Sequence, residues 1–217
     1  MIKCVLFDLD GTILNTLPTI TYYLNRALTE NGLPGIDEEE CRHCVGNGSR
    51  NLIRRVAEPR GVSDPEFLDK LHREYNLFYD AEPYYLTSPY PEIVKVLEEL
   101  KSRGIMAAVL SNKPDFAARS LVTRYFDGFF VKVRGGRDGA PLKPSAEAVT
   151  DFLSELRISN GECAFVGDSE VDVKTAKNAD LSLCVAVSWG FRPREMLADA
   201  DFIADTADEL LGKLISN

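Results

Sequence analysis

The stretch Val5-Leu6-Phe7-Asp8-Leu9-Asp10-Gly11-Thr12-Ile13-Leu14 decides the reading of this chain. An apolar, β-prone run ends abruptly on two carboxylates one residue apart, followed by a Gly and a Thr. A buried strand that carries two acids to its C-terminal end strips them of hydration, which is costly unless something compensates. A cation or a reaction at that strand end would compensate. The same residues also suit a solvated strand-to-turn acid pair, so later segments must decide.

Working outward, short apolar runs alternate with helical spacing from residue 88 onward. Strands are expected at 4–7, 105–110, 129–133, 163–166, 183–187 and 201–204. Helices are expected at 91–103, from 115 to about 125, at 145–156 with Ser145 as N-cap, at 171–178 and at 206–214. Continuous apolar strands alternating with helices predict an α/β fold, a parallel sheet covered on both faces. Right-handed crossovers follow. Residues 15–86 break the rhythm. They show helical patterns at 17–31, 37–44, 50–57 and 64–79 and no convincing strand. The expected organisation is a catalytic α/β core of residues 1–14 and 87–217, with an all-helical cap of residues 15–86 inserted after the first strand.

Composition narrows the function. The 217 residues are 45% hydrophobic and 27% charged, enough for one large domain or a domain with a modest insert. A net charge of −9 argues against non-specific nucleic-acid binding and requires local cations for any anionic substrate. No apolar run approaches the roughly 20 residues that span a bilayer, and residues 1–3 lead straight into a core-like strand. The expectation is a cytoplasmic protein with no membrane partner. Of the five cysteines, Cys4, Cys163 and Cys184 lie in strand-like runs. Cys41 and Cys44 form a lone C-x-x-C inside a helical pattern, without a second ligand pair, and are read as structural.

Four segments share one placement, just past a predicted strand: Asp8 with Asp10, Ser111-Asn112, the Lys143 loop, and Gly167-Asp168-Ser169 with Asp172. In an open α/β sheet ligands bind along that edge, above all where strand order reverses. The residue types suit phosphoryl transfer. Asp8, Asp10 and Asp168 offer the hard oxygen ligands that Mg²⁺ prefers. Ser111 and Lys143 can hold non-bridging phosphate oxygens, and strand-to-helix turns add backbone N–H groups. A metal and a lysine neutralise charge on the transferring group, most of what this reaction requires. Each segment taken singly could be a cap, a turn or a surface loop; their joint placement at strand ends argues for a site.

These motifs resemble those of the haloacid-dehalogenase-like phosphohydrolase superfamily over essentially the whole chain. The resemblance rests on Asp8-Leu9-Asp10-Gly11-Thr12, Ser111-Asn112, Lys143-Pro144 and Gly167-Asp168-Ser169-Glu170-Val171-Asp172. The phosphoglycolate phosphatase-like branch is the most similar, through Val45-Gly46-Asn47-Gly48 and Trp189-Gly190-Phe191-Arg192 with Glu195. The stretches Ala200-Asp201-Phe202-Ile203 and Asp208-Glu209-Leu210-Leu211 add to it. The resemblance implies a Rossmann-like core and a Mg²⁺-dependent phosphatase acting on a small phosphorylated metabolite. It implies that Asp8 is the nucleophile and Asp10 the acid and base. Metal ligands would be the Asp8 carboxylate, the Asp10 backbone carbonyl and Asp168. Asp172 would orient a metal-bound water or Lys143, Thr12 would brace the loop, and Ser111, the N–H of Asn112 and Lys143 would grip the phosphoryl group. Two departures stand out: Ser145-Ala146 replaces the second Pro common after Lys-Pro, and Val173 follows Asp172.

A helical insert entering after the catalytic strand is placed to act as a lid. Its candidate substrate contacts are Arg42, His43, Arg50 and Arg54, with Asn47 in the Gly46-Asn47-Gly48 stretch that would let backbone approach the ligand. Arg50, Arg54 and Arg55 also fit a solvated helix face, a reading favoured for Arg55, and His72 is read as structural. A sugar-phosphate mutase or an inorganic pyrophosphatase fits the same scaffold. A haloalkanoic-acid dehalogenase does not need the acid at Asp10, and a non-catalytic binding module would be expected to lose one of Asp8, Asp10, Lys143 or Asp168. Oligomeric state is not written in these patterns.

Overall fold

The computed structural model describes residues 1–46 and 48–216. It divides into two compact units, Met1–Asn15 with Pro89–Asn217, and Thr16–Ser88.

The chain begins with β1 (Cys4–Phe7), then β2 (Leu14–Asn15). The helical unit holds α1 (Leu17–Glu30), α2 (Glu38–Cys44), α3 (Ser49–Ala57) and α4 (Pro65–Ala81). After β3 (Ser88–Pro89) come α5 (Ile93–Ser102), β4 (Met106–Pro114), α6 (Asp115–Phe126), β5 (Phe130–Gly136) and α7 (Ala146–Leu156). The last third is β6 (Cys163–Gly167), α8 (Glu170–Asn178), β7 (Leu183–Val187), β8 (Phe202–Ala204) and α9 (Ala207–Ile215).

Six strands form one parallel sheet in the order β5-β4-β1-β6-β7-β8. Strand β1 therefore has β4 on one side and β6 on the other, and the order reverses around it. The β1 burial pattern shows why its residues are apolar on both faces. Val5 and Phe7 face a layer containing Val96, Leu97, Leu121 and Leu210 from α5, α6 and α9. Cys4 and Leu6 face Val149, Phe152 and Val173 from α7 and α8. Each strand residue thus loses its apolar surface to one helix layer or the other, the driving term of the fold. The fold class expected from the sequence, a Rossmann-like parallel sheet with helices on both faces, is what the structure shows.

Two strands run further than their apolar cores. Strand β4 continues through Ser111, Asn112 and Lys113 to Pro114, and β5 to Gly136, because Pro114 registers against Gly136 after a shift in the ladder. Ser111-Asn112 is thus strand, not the cap of the following helix. Glycine makes this end possible: a Cβ on Gly135 would lie 2.5 Å from the Lys113 carbonyl.

Within the helical unit, Asp37 and Asp64 cap α2 and α4 by accepting from the N–H groups of Glu40 and Phe67. Asn25 brackets Ile36 in both directions, at 2.7 and 2.8 Å. All five cysteines are free. Cys41 is buried in α2, and burial pushes its thiol up to about 12. Among the described residues no helix is long and apolar enough to cross a membrane.

Candidate active site

Three buried carboxylates converge at the C-terminal edge of the sheet. One oxygen each from Asp8, Asp168 and Asp172 lies within 4.8 Å of the others. The elements that deliver them are β1, β6 and the first turn of α8. Asp8 follows directly on β1, and its N–H still donates to the Val166 carbonyl at 2.9 Å, which fixes it against β6. Asp168 follows on β6. Asp172 is locked by a capping box: its Oδ2 accepts from the Ser169 N–H at 3.1 Å and from Ser169 Oγ at 2.6 Å.

One ammonium sits among them. Lys143 Nζ lies 2.7 Å from Asp8 Oδ1 and 2.7 Å from Asp172 Oδ1, and its side chain is 3% exposed. Burial works against the charged lysine, but Asp172 and Asp8 outweigh it and hold the ammonium above its ordinary range. The loop that presents Lys143 is clamped by Asn112. Its amide donates to the Lys143 carbonyl and accepts from the Lys143 N–H, both at 2.9 Å. The Asn112 side chain thus positions the lysine, and only its backbone is left for the expected phosphate contact. Ser111 is buried in β4 beside it.

Asp168 is held from both sides. Thr12 Oγ1 donates to its Oδ1 at 3.2 Å, and the Phe191 N–H donates to its Oδ2 at 2.7 Å. Thr12 in turn offers its carbonyl to the Trp189 indole N–H at 3.1 Å. Two glycines make room: a Cβ on Gly11 would lie 2.3 Å from an Asp168 oxygen, and one on Gly190 would lie 2.2 Å from the Asp168 Cβ. Gly11 also carries φ +80°, which favours glycine on its own account.

Three carboxylates against one ammonium leave an excess of negative charge in a desolvated place. Desolvation pushes Asp8 up to about 6, Lys143 opposing and Asp172 reinforcing the rise. Asp168 goes up to about 8, through desolvation and then through Asp172 and Asp8. Asp8 Oδ1 is close to Lys143 yet lies off the hydrogen-bond direction, so a buried anionic oxygen has charge contact without an aligned bond. That unmet oxygen, beside carboxylate oxygens of Asp168 and Asp172, fits a hard divalent cation.

The second acid of the opening motif is elsewhere. Asp10 accepts at both oxygens from Lys113 Nζ, at 3.1 and 3.2 Å. Its carboxylate is outside the three-acid cluster, and its expected metal contact is its backbone carbonyl. Sequence reasoning passed over Lys113, since a lysine after Ser-Asn reads as a solvated loop residue. The available signal was its alternation with Ser111 along an extended β4.

In the helical unit, Arg50 is exposed and pairs with Asp69 at 2.5 Å, and Arg54 pairs with Glu58 at 3.7 Å. Arg42 and His43 both pair with Glu39. Asn47 lies outside the described residues. Arg55 corrects the expectation of a solvated helix face: it turns inward and donates to the carbonyls of Cys44, Val45 and Gly46. Those carbonyls lie at and just past the C-terminal end of α2, where a guanidinium fork can donate to backbone oxygens. His72 meets Ser49 Oγ at 2.8 Å and Asn76 at 3.1 Å, and burial lowers its pKa.

A doubly wound parallel sheet with paired acids after β1, a lysine loop and an acid after β6 defines a class, and comparison with known proteins agrees. Residues 5–186 match the family model described as haloacid dehalogenase-like hydrolase, and the chain belongs to that family. It is 32% identical over 217 residues to phosphoglycolate phosphatase of Vibrio vulnificus, covering 97% of this chain and 95% of that one. Phosphoglycolate phosphatase of Rhodospirillum rubrum is 33% identical, covering 94% of this chain and 86% of its own. Among solved structures, a predicted phosphoglycolate phosphatase from Haemophilus somnus superposes with TM-score 0.91 at 26% identity, covering 100% of this chain and 98% of that one. The chain is thus a hydrolase whose full-length relatives are phosphatases.

Two predictions follow from this geometry. Asp8 and Asp168 have folded pKa values above the ordinary 3.8, so the metal-free native state binds more protons than the unfolded chain. Stability therefore falls as pH rises from about 4 to about 8. Melting in EDTA between about pH 5 and 8 should show this decline, flatter in Asp168→Asn, and added MgCl₂ should raise the Tm more at the upper end. Second, Gly190→Ala should displace Asp168. We expect divalent-ion affinity by calorimetry to fall about tenfold, with stability lowered by ~1–3 kcal/mol.

Proposed function

We propose that this chain is a Mg²⁺-dependent phosphatase that hydrolyses a small phosphorylated metabolite, a phosphoglycolate-like monoester favoured, through an aspartyl-phosphate. The observation that carries the reading is the separation of two neighbouring carboxylates onto different cations. Asp8 is paired with Lys143, and Asp10 with Lys113. Two acids so close in sequence yet in different environments are suited to different roles.

Asp8 attacks phosphorus in line with the ester oxygen. The P–O ester bond breaks, its electron pair stays on the leaving oxygen, and Asp10, entering this step as the protonated acid, supplies the proton. Water then attacks phosphorus, Asp10 takes its proton, and the acyl-phosphate bond breaks to return the pair to Asp8. Lys143, Ser111 and the Asn112 N–H hold the non-bridging oxygens. Asp8, the Asp10 carbonyl and Asp168 would hold Mg²⁺, with Asp172 fixing Lys143 beside it. Bound there, the ion supplies charge neutralisation for the phosphoryl oxygens.

The helical unit, in this reading, is a cap that recognises the rest of the substrate, with Arg50 and Arg54 as candidates for a carboxylate and Asn47-Gly48 for close backbone approach. The full-length similarity to phosphoglycolate phosphatases supports that substrate class. A cytoplasmic site of action goes with a soluble phosphorylated metabolite.

Activity should require Mg²⁺, and Asp8→Asn should lose more than about 1,000-fold in turnover. Unchanged turnover in that variant would refute the nucleophile. Release of free phosphate, followed by phosphorus NMR, separates hydrolysis from internal transfer. Arg50→Ala should raise KM for phosphoglycolate about tenfold, the loss of one charged contact, while barely moving KM for p-nitrophenyl phosphate. Equal shifts on both substrates would remove Arg50 from substrate recognition.

A further inference from the structure

Lys113 stands in the same strand as Ser111 and reaches an acid 103 residues earlier in the chain. Its side chain is 5% exposed and that of Asp10 is 18% exposed. Burying an ammonium is costly, and one partner repays it only with good geometry. The geometry here is symmetric: Nζ meets Oδ1 at 3.1 Å and Oδ2 at 3.2 Å. Asp10 itself sits on a tight loop. The Leu9 carbonyl accepts from Thr12, Ile13 and Leu14, and Gly11 N–H donates to Leu14 O at 2.9 Å. Backbone and side chain of Asp10 are thus fixed by separate devices.

Lys143 faces the first acid, whereas Lys113 faces the second. The backbone of Lys113 runs in β4, and its side chain is directed to Asp10. Its two hydrogen bonds hold the plane and direction of the Asp10 carboxylate. We infer that Lys113 is a positioning residue for Asp10, orienting that carboxylate for proton transfer to the leaving oxygen and keeping it out of the Asp8–Asp168–Asp172 cluster. The inference rests on the proposed roles of Asp8 and Asp10. If the pair merely tied β4 to the loop, its loss would disturb every substrate alike.

Leaving groups separate the two cases. An alkyl ester such as phosphoglycolate needs a proton on the departing oxygen; p-nitrophenolate departs without one. The value of kcat/KM reports events up to the first irreversible step, formation of the aspartyl-phosphate. Lys113→Met should lower kcat/KM for phosphoglycolate by about 30- to 100-fold, a partial loss of the roughly 100- to 10,000-fold that general acid catalysis contributes. For p-nitrophenyl phosphate the fall should be about threefold or less. Lys113→Arg, which restores a paired cation, should recover most of the loss on the alkyl ester. In an Asp10→Asn background, Lys113→Met should add little, because the carboxylate it positions is gone.

Equal losses on both substrates, no loss on the alkyl ester, or a full additional loss in the Asp10→Asn background would overturn the inference. If Lys113→Met folds poorly by circular dichroism, Lys113→Gln takes its place in the same comparison. Failure of the underlying mechanism is a separate result: Asp8→Asn would then retain turnover on both substrates.

Discussion

The site depends on one buried lysine placed among carboxylates. Lys143 bridges Asp8 and Asp172 at 2.7 Å each, and all three side chains are nearly inaccessible. Isolated, any of these charges would be expelled or neutralised. Together they still do not balance, because Asp168 adds a third carboxylate within the same few ångströms. The residual negative charge raises Asp8 and Asp168. The set is compatible with a divalent ion, whose charge would offset that excess.

The rest of the structure supports that arrangement. A central strand flanked by β4 and β6 is the topology that brings segments around residues 8, 111 and 168 to one edge. Hydrophobic burial on two faces makes the strand ends rigid, and rigid ends hold charged side chains in place without loop entropy to overcome. Supporting contacts follow the same logic. Asn112 fixes the Lys143 backbone, Ser169 fixes Asp172, and Thr12 with the Phe191 N–H fixes Asp168. The Trp189-Gly190-Phe191 segment, noticed in the sequence only as a resemblance, has a physical reason. Its indole braces Thr12, its glycine clears Asp168, and its next N–H binds the acid.

The sheet was legible because β1, β6 and β7 are apolar on both faces, a pattern that leaves few alternatives. The ends of β4 and β5 were not legible. Ser111, Asn112 and Lys113 are polar, and their extended pairing depends on Gly135 and Gly136 more than twenty residues away. Composition could place acids and lysines at strand ends but could not say which acid meets which lysine. Lys113 was passed over and Arg55 read as solvated for one reason: a long cation shows no role until its partner is known, and Asp10 and the carbonyls of residues 44–46 are brought to them only by tertiary structure.

The spacing of Asp8 and Asp10 gains its meaning from where the strand stops. In an extended strand, residues two apart share a face, and the two carboxylates would crowd each other. Strand β1 ends at Phe7, however, and the chain bends at Leu9, whose carbonyl accepts from Thr12, Ile13 and Leu14, so Asp10 does not continue that face. Asp8 stays beside β6 with Lys143, whereas Asp10 is carried toward β4 and Lys113. Each acid then has its own cation and its own neighbours. Gly11, at φ +80°, carries the turn onward after Asp10 and makes space for Asp168. The sequence Asp-Leu-Asp-Gly-Thr is therefore a compact solution to a charge problem: five residues place two carboxylates apart, leave room for another, and supply the Thr12 hydroxyl that binds it.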